Sequence, residues 1–295
     1  MTAFLQLLFQ GFALGCIYAL VAVGFTVIYR ASQVINFAQG SLLLVGAYLI
    51  SVLATSLHLP FALAVIAAIA LLAAGCVAFQ VVVLQRVLGQ PVFVLVMITI
   101  GLSIAIDSAI PAIFGGNARI LGDPWGASAV HAGGVTLNWV RLWTVVCTGL
   151  VLALYLVFDR FSRYGLAMRA TAADAEAALA VGVPVRRVYA LTWAIAGGVA
   201  AVGGLFLAGF PSSVNPSLGD VALRAFPAII LGGLDSLPGA VVGGIVIGIV
   251  EVLSSGYAPG WLGNNFSDVA PYIAMILVLL VRPYGLFGTR PVERV

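Results

Sequence analysis

Acidic side chains within apolar runs are the residues of this sequence with the clearest chemical potential. Asp107 and Glu251 lie deepest in such runs. An ionisable group at membrane depth is costly, so it is a functional candidate by default. Each acid lies in the second half of its run, where it could instead face a water-filled vestibule. We take Glu251 as a candidate for lining a solute path.

Neutral polar residues form a second group of candidates. Uncharged hydrogen-bonding groups offer a passing solute temporary partners without trapping it. We expect Asn36 and Gln39 to line such a path because a turn there would expose them, and we add Ser103 to the same set. For Ser41 and Thr99 we favour hydrogen bonds between helices, which are common for such residues in membrane bundles.

Catalytic chemistry is poorly supported by the residue types. The sequence has two histidines, His58 and His131, and no H-E-x-x-H or G-x-S-x-G motif. Cys16, Cys76 and Cys147 lie in apolar stretches and resemble neither a disulfide framework nor a metal cluster. Lysine is absent, which excludes a phosphate-binding P-loop. We therefore expect no enzyme activity, metal or cofactor, and any ATP hydrolysis must come from another chain.

The elements that position these residues are membrane spans. The 295 residues are 63% hydrophobic and 8% charged, whereas soluble chains carry roughly 25% charged residues. This composition predicts an all-α polytopic membrane protein with about 8–9 transmembrane helices of about 20 residues each. The predicted spans are Phe4–Tyr29, Phe37–Ser56, Phe61–Leu84, Val92–Phe114, Leu142–Phe158, Val188–Gly209, Val221–Leu234, Gly239–Ser255 and Val269–Val281. Arg224 and Pro227 interrupt Val221–Leu234, which is therefore broken, tilted or re-entrant.

Arginine placement predicts the orientation of a single membrane domain over residues 1–295. If residues 159–187 are cytoplasmic, ten of the thirteen arginines lie inside, as the positive-inside rule requires. Nine crossings then place the N-terminus outside, the C-terminus inside and the loop 115–141 in the periplasm. Losing one span would move the N-terminus inside. We expect the first apolar run to be retained as a span, since it is too long for a signal peptide.

Two short strings suggest an internal repeat. Ser32–Gly40 and Ser213–Gly219 share Ser, Asn and Gly and each precede a span with polar residues. On the predicted topology they lie on opposite faces, as an inverted repeat requires. The G-x-x-x-G spacing of Gly244 and Gly248 predicts close helix packing. A hairpin around His131 is a further expectation.

The longest polar interval, Asp159–Arg187, contains a predicted helix. Thr171 is the expected N-cap, with Asp174 completing a capping box. The body is Ala172–Val181, and Gly182 ends it in the left-handed conformation. Two interpretations stay open at this point: a solvated loop that happens to be helical, or a docking helix for a partner at the membrane surface.

Motifs along nearly the whole chain resemble a known family. The stretches that carry the resemblance are Gly15–Gly24, Ile35–Tyr48, Gly165–Thr171 with Ala177–Val183, Gly232–Gly244 and Arg282–Gly288. With these stretches the chain resembles the branched-chain amino acid permeases of bacterial ABC importers, in the branch of the first of two permease subunits.

The resemblance implies a set of partners in the bacterial inner membrane. These are a second, similar permease subunit, two cytoplasmic ATPase subunits and a periplasmic substrate-binding protein, with membrane lipid around the spans and no nucleic acid. The polar loop would be the coupling helix that sits in a cleft of the ATPase. Its implied contact residues are Arg169, Ala170, Thr171, Asp174, Glu176, Ala178 and Gly182.

The implied substrate is leucine, isoleucine, valine or a relative. The same family includes permeases for urea, short amides and other small solutes, and these remain alternatives. A passive channel or a secondary carrier is a further alternative. It is disfavoured because a carrier should show intramembrane charges at corresponding positions of the two repeats, and we do not find that pattern.

Overall fold

The computed structural model describes residues 2–87, 89–126, 128–132, 135–209, 212–259 and 265–288. These residues form twelve α-helices and one β-hairpin. The helices are α1 Thr2–Ser32, α2 Gln39–Ser51, α3 Phe61–Val82, α4 Val92–Phe114, α5 Trp139–Phe161, α6 Arg163–Ala173, α7 Ala175–Ala180, α8 Val185–Leu207, α9 Leu218–Leu223, α10 Phe226–Gly232, α11 Leu237–Tyr257 and α12 Phe266–Val281. The strands are β1 Ala129–Ala132 and β2 Val135–Asn138, a π-helical turn Val52–Ser56 extends α2, and a 3-10 turn covers Leu84–Val87.

The long apolar helices confirm the predicted fold class. In the described part of the chain, seven helices are long and apolar enough to cross a membrane: α1, α2 with its π-helical turn, α3 with its 3-10 turn, α4, α5, α8 and α11. The 16-residue α12 is shorter and also apolar. Helices suit this setting because hydrocarbon offers backbone groups no water, so each segment must satisfy its own hydrogen bonds.

The predicted span Val221–Leu234 is not one helix. It is divided between α9, with six residues, and α10, with seven. At 1.5 Å per residue each is roughly 10 Å long, so neither can cross a bilayer core alone. The break falls at Arg224–Ala225. The structure therefore confirms that this segment, the seventh predicted span, is broken.

Helix α1 lies at the centre of the bundle. Its apolar window is 89% buried, whereas that of α4 is 11% buried. Helix α1 packs against α11, α8 and α5. At the crossing with α11, a Cβ on Gly15 would lie 2.6 Å from the Cα of Ile245, and Gly248 faces the Gly15 backbone. This contact confirms that the G-x-x-x-G spacing serves close packing.

Contacts between loops define the two ends of the bundle. At one end, β1 and β2 pair from Ala129–Asn138 to Ala132–Val135, which confirms the predicted hairpin. Arg119 forms two backbone hydrogen bonds of 2.8 and 3.0 Å with Val214, so the loops before β1 and after α8 share this end. At the other end, the carboxylate of Asp159 lies between the guanidinium groups of two arginines, at 3.6 Å from Arg30 and 3.5 Å from Arg169.

Two turns support the predicted internal repeat. At Asn36 and at Asn215 the side-chain oxygen accepts a hydrogen bond from the backbone amide two residues later, at 3.1 and 3.0 Å. In both turns the Asn carbonyl accepts from the amide three residues later at 3.2 Å, and a helix begins there. Helix packing agrees with this repeat. If α8 and α11 in the second half correspond to α1 and α3 in the first, the packing of α1 against α11 corresponds to that of α8 against α3.

Candidate translocation path and docking segment

The turn before α2 holds two of the predicted path residues. The Asn36 amide donates to the side-chain oxygen of Gln39 at 3.3 Å, and the Gln39 amide donates to the carbonyl of Ala196 in α8 at 3.3 Å. The structure therefore brings Asn36 and Gln39 together. Both are 0% exposed, so the expectation that the turn exposes them is wrong. Both side chains are buried because α8, which is distant in the sequence, packs over the turn.

A line of hydrogen bonds connects α2 with α4. The hydroxyl oxygens of Ser41 and Ser103 lie 2.8 Å apart, and Ser103 donates to the carboxylate of Asp107 at 3.2 Å. Thr99 accepts from the backbone amide of Phe37 at 3.3 Å, which ties α4 to the turn. Ser41 thus makes the predicted contact between helices. Asp107 is exposed at the end of this line, so Ser103 connects a buried hydroxyl to an accessible carboxylate.

The break between α9 and α10 holds a network of charged groups. The Arg224 guanidinium lies 3.3 Å from a carboxylate oxygen of Glu251 in α11 and 2.9 Å from one of Asp268 in α12. The Tyr18 hydroxyl of α1 donates to the other Glu251 oxygen at 2.6 Å. Four segments of the bundle therefore meet through side chains. Charges within membrane bundles are stabilised by pairing with one another, as here.

The side chains of this network differ in exposure, and Glu251 is the most buried of the three charged ones. The side chain of Glu251 is 10% exposed, that of Arg224 34% and that of Asp268 44%. Glu251 was predicted from the sequence, but Arg224 and Asp268 were not assigned to it. One signal could have found Arg224: it has the opposite charge to Glu251 and also interrupts an apolar run.

The polar loop contains two helices where the sequence predicted one. The Ser162 hydroxyl caps α6 by accepting from the Gly165 amide at 2.8 Å. Asp174 caps α7 by accepting from the two amides that follow its first helical residue, at 3.0 and 2.9 Å. The predicted N-cap Thr171 is wrong, because it lies buried inside α6. Only Ser162 separates the end of α5 from the start of α6, so the first helix of the loop begins well before Thr171, and the second begins after Asp174.

The end of α7 matches the prediction, but its side chains point elsewhere than expected. Gly182 has a φ of +88°, the left-handed conformation that favours glycine. Ala178 is only 4% exposed, whereas Leu179 is 62% and Val181 81% exposed. Ala178 and the buried Thr171 therefore cannot contact a partner as the implied assignment requires. The accessible apolar side chains at this end are Leu179 and Val181.

The remaining predicted contact residues fall into different settings. Arg169 pairs with Asp159 and also donates to its backbone carbonyl, which holds α6 against the end of α5. Asp174 is occupied as the cap of α7. Glu176 is exposed, and Ala170 is half-buried. Of the polar candidates, Asp174 and Glu176 are both exposed, and Glu176 is the one that does not cap α7.

Comparison with known proteins places the chain in a family. The model of the family described as "Branched-chain amino acid transport system / permease component" matches residues 7–279. The chain belongs to this family. No solved structure gives a significant match to this permease.

Curated relatives of this permease match it over almost its whole length. It is 34% identical to the high-affinity branched-chain amino acid transport system permease protein LivH of Salmonella typhimurium, and 35% identical to LivH of Escherichia coli (strain K12). The corresponding BraD protein of Pseudomonas aeruginosa is 31% identical. Each comparison covers 99% of this chain and 98% of the relative. This agreement confirms the resemblance drawn from the motifs, and with the seven apolar helices it indicates a multi-pass inner-membrane protein.

Proposed function

We propose that this chain is the transmembrane subunit of an ATP-driven importer that moves branched-chain amino acids into the cytoplasm. The observation that carries the proposal is the end-to-end similarity to permeases whose names give that substrate class. The second half of the proposal, that ATP is hydrolysed elsewhere, rests on the absence of lysine from the sequence and with it of a P-loop.

The assembly has the partners that the family resemblance implies. A second permease subunit lies beside this chain, two ATPase subunits bind on the cytoplasmic face, and a periplasmic protein delivers the amino acid. ATP-driven closure of the ATPases moves the coupling segments together and rocks the bundles to open the path outward. Hydrolysis then resets the transporter. This chain supplies the path and the coupling segment.

The face that carries the polar loop is the cytoplasmic one. Arg30, Arg169 and the loop 159–187 lie at the same end of the bundle, and a basic end is retained inside by the positive-inside rule. In membranes that hold this chain without ATPase subunits, a thiol at Val181→Cys should then react with a membrane-impermeant maleimide only in inverted vesicles. One at Gly116→Cys should react only in intact cells, both in a chain freed of its three cysteines. Labelling with the opposite pattern would reverse the topology.

The coupling segment is α6 with α7, and its contact is apolar. Leu179 and Val181 are exposed large aliphatic side chains on a polar loop outside the long apolar helices. Burying each against a partner would contribute roughly 1.5–3 kcal/mol. In the proposed function, the partner that buries these side chains is the cleft of an ATPase subunit. Glu176 is placed to add a polar contact at the edge of this surface.

A charge placed on this surface should uncouple the transporter. In Val181→Arg, ATP hydrolysis stimulated by the loaded binding protein should fall at least tenfold, or about 1.4 kcal/mol. In the wild type the cleft meets an alkyl group at this position, whereas in the variant it would have to bury a charge. The matched control is Ala180→Ser, also exposed in α7. Full stimulation and uptake in Val181→Arg would remove α7 from the contact.

Substrate class is tested by uptake. The complete transporter, reconstituted in proteoliposomes with ATP at the ATPase side and binding protein at the other, should accumulate labelled leucine. Unlabelled isoleucine and valine should compete, whereas urea and acetamide should not. Accumulation of urea without accumulation of leucine would assign the chain to the other solutes of the family. Leucine entry that is independent of ATP would indicate a channel or a secondary carrier.

A further inference from the structure

We infer that Arg224 and Asp268 form a binding station in the path for the charged groups of a zwitterionic amino acid. Arg224 receives the α-carboxylate and Asp268 the α-ammonium group. The inference rests on the proposed function, which it deepens by naming the residues that recognise the substrate. Neither residue was assigned a role from the sequence.

The break between α9 and α10 places Arg224 where a solute can reach it. The helix stops at Leu223 and resumes at Phe226, so Arg224 lies in the gap between two short helices. The guanidinium contacts two carboxylates and is still partly exposed. Asp268 lies in the first turn of α12 and is the more exposed of the two carboxylates. The accessible side of the network is therefore the Arg224–Asp268 pair.

An amino acid can enter this pair without reducing the number of ion pairs. The 2.9 Å contact between Arg224 and Asp268 opens, and two contacts replace it: guanidinium with the substrate carboxylate, and ammonium with Asp268. A substrate with only one charge would form only one of these two contacts, so it would not replace the ion pair that it opens. The exchange thus selects zwitterions over neutral amides and over simple acids or amines.

Neighbouring side chains suit an aliphatic substrate. Leu223 precedes Arg224 and Val269 follows Asp268 in the chain, and both are exposed apolar residues. In this station the branched hydrocarbon side chain of the substrate would lie against them while its charged groups reach the ion pair. Because these contacts are apolar and not directional, they accept leucine, isoleucine and valine alike.

Glu251 and Tyr18 are positioning residues for this station. Glu251 is nearly buried, receives the hydrogen bond from Tyr18 on one oxygen, and contacts Arg224 through the other. It therefore keeps the guanidinium in place after Asp268 has moved away. Without this second carboxylate, Arg224 would lose its fixed orientation when the pair opens.

Isotope-edited infrared spectroscopy tests the station on the assembled transporter in lipid nanodiscs, without binding protein. Leucine labelled with ¹³C at its carboxylate should show a shifted carboxylate stretching band when it contacts a guanidinium. The shifted band should appear in the wild type and in Asp123→Asn, a control that removes a carboxylate from the outer loop. It should be absent in Arg224→Gln.

A kinetic experiment covers the case in which Arg224→Gln fails to fold. Asp268→Asn keeps the Arg224–Glu251 contact, and its apparent KM for leucine uptake should rise at least about tenfold with a smaller change in kcat. An unchanged KM in Asp268→Asn, or a shifted band that persists in folded Arg224→Gln, would show that the network only fastens helices together. If the wild type imports no leucine at all, the proposed function fails and the station with it.

Discussion

The turns at Asn36 and Asn215 have the same hydrogen bonds but different surroundings. The first lies buried beneath α8, with its side chain bonded onward to Gln39. The second lies next to the loop that pairs with Arg119 and is partly exposed. One local sequence pattern thus lies in one half inside the bundle and in the other at the end of the bundle that contains the β-hairpin.

The helices that follow these turns differ more than the turns do. After Asn36, α2 runs for 13 residues without a break, and its polar side chains Gln39 and Ser41 hydrogen-bond directly to neutral groups. After Asn215, α9 ends after six residues, and the break holds Arg224 with its carboxylates. The repeat therefore provides a common scaffold. Its two copies carry different chemistry, with neutral hydrogen bonds in the first and ion pairs in the second.

The equivalent helix crossings also differ in how closely they pack. Between α1 and α11, glycines bring backbone against backbone, with Gly15 facing the Cα of Ile245. Between α8 and α3, Gly197 faces the side chain of Cys76, which has some freedom to move. We expect the first crossing to tolerate substitution less than the second, and four experiments test the differences between the halves in order of expected effect.

The largest effect is expected at the α1–α11 crossing. Gly15→Leu should reduce the yield of monodisperse protein to below about a tenth. Overpacking costs about 1–3 kcal/mol even where a core can relax, and here the added side chain meets rigid backbone, so the cost should exceed that of every substitution below. The measurement is fluorescence-detected size-exclusion chromatography of membranes. Gly198→Leu is the matched control, since a Cβ there would only touch Ile69 at 3.6 Å. Equal yields would show that the crossing is adaptable.

The second-largest effect is expected in the charged network of Arg224, Glu251 and Asp268. Arg224→Leu leaves two carboxylates without a cation and should destabilise the protein by about 3–5 kcal/mol. Glu251→Leu should cost less, because Arg224 keeps its 2.9 Å contact with Asp268. The melting temperatures of the purified variants in one detergent give the order. A larger loss in Glu251→Leu than in Arg224→Leu would contradict it.

The two turns allow a direct comparison of burial. Asn36→Ala should destabilise by about 1–3 kcal/mol, because it leaves buried polar groups without partners. Asn215→Ala removes the same local hydrogen bond at a site that water can reach, so its cost should be below about 1 kcal/mol. The difference in melting temperature between the variants measures the contribution of burial. No difference would mean that the turns are energetically equivalent.

The smallest effect is expected in the segment that joins the halves. Asp174→Ala should weaken α7 by about 1 kcal/mol, the usual cost of losing an N-cap. Thr171→Val should have little effect, since the buried Thr171 hydroxyl has no hydrogen-bond partner in the described part of the chain. Hydrogen exchange of the α7 amides measures how much each substitution weakens α7. Faster exchange in Thr171→Val but not in Asp174→Ala would restore Thr171 as the cap.

Local signals in the sequence were sufficient for several features. Long apolar runs require helices in a bilayer whatever their neighbours are, so the spans and the all-α class followed directly. Gly182 was placed correctly because only glycine adopts a positive φ at little cost. The Gly244–Gly248 spacing predicted a close crossing, and Arg224 within an apolar run indicated an interrupted span. Each of these depends on a few adjacent residues.

Other features were decided by contacts between distant residues. The cover that α8 places over Asn36 and Gln39 depends on how helices pack, and no local pattern encodes it. The same is true of Ala178, whose burial turns Leu179 and Val181 outward, and of Arg224, which meets carboxylates from two later helices. The sequence alone determined which residues are polar, apolar or conformationally special. Only the tertiary structure decided which of them face each other and which remain accessible, because burial and pairing are properties of the packed bundle.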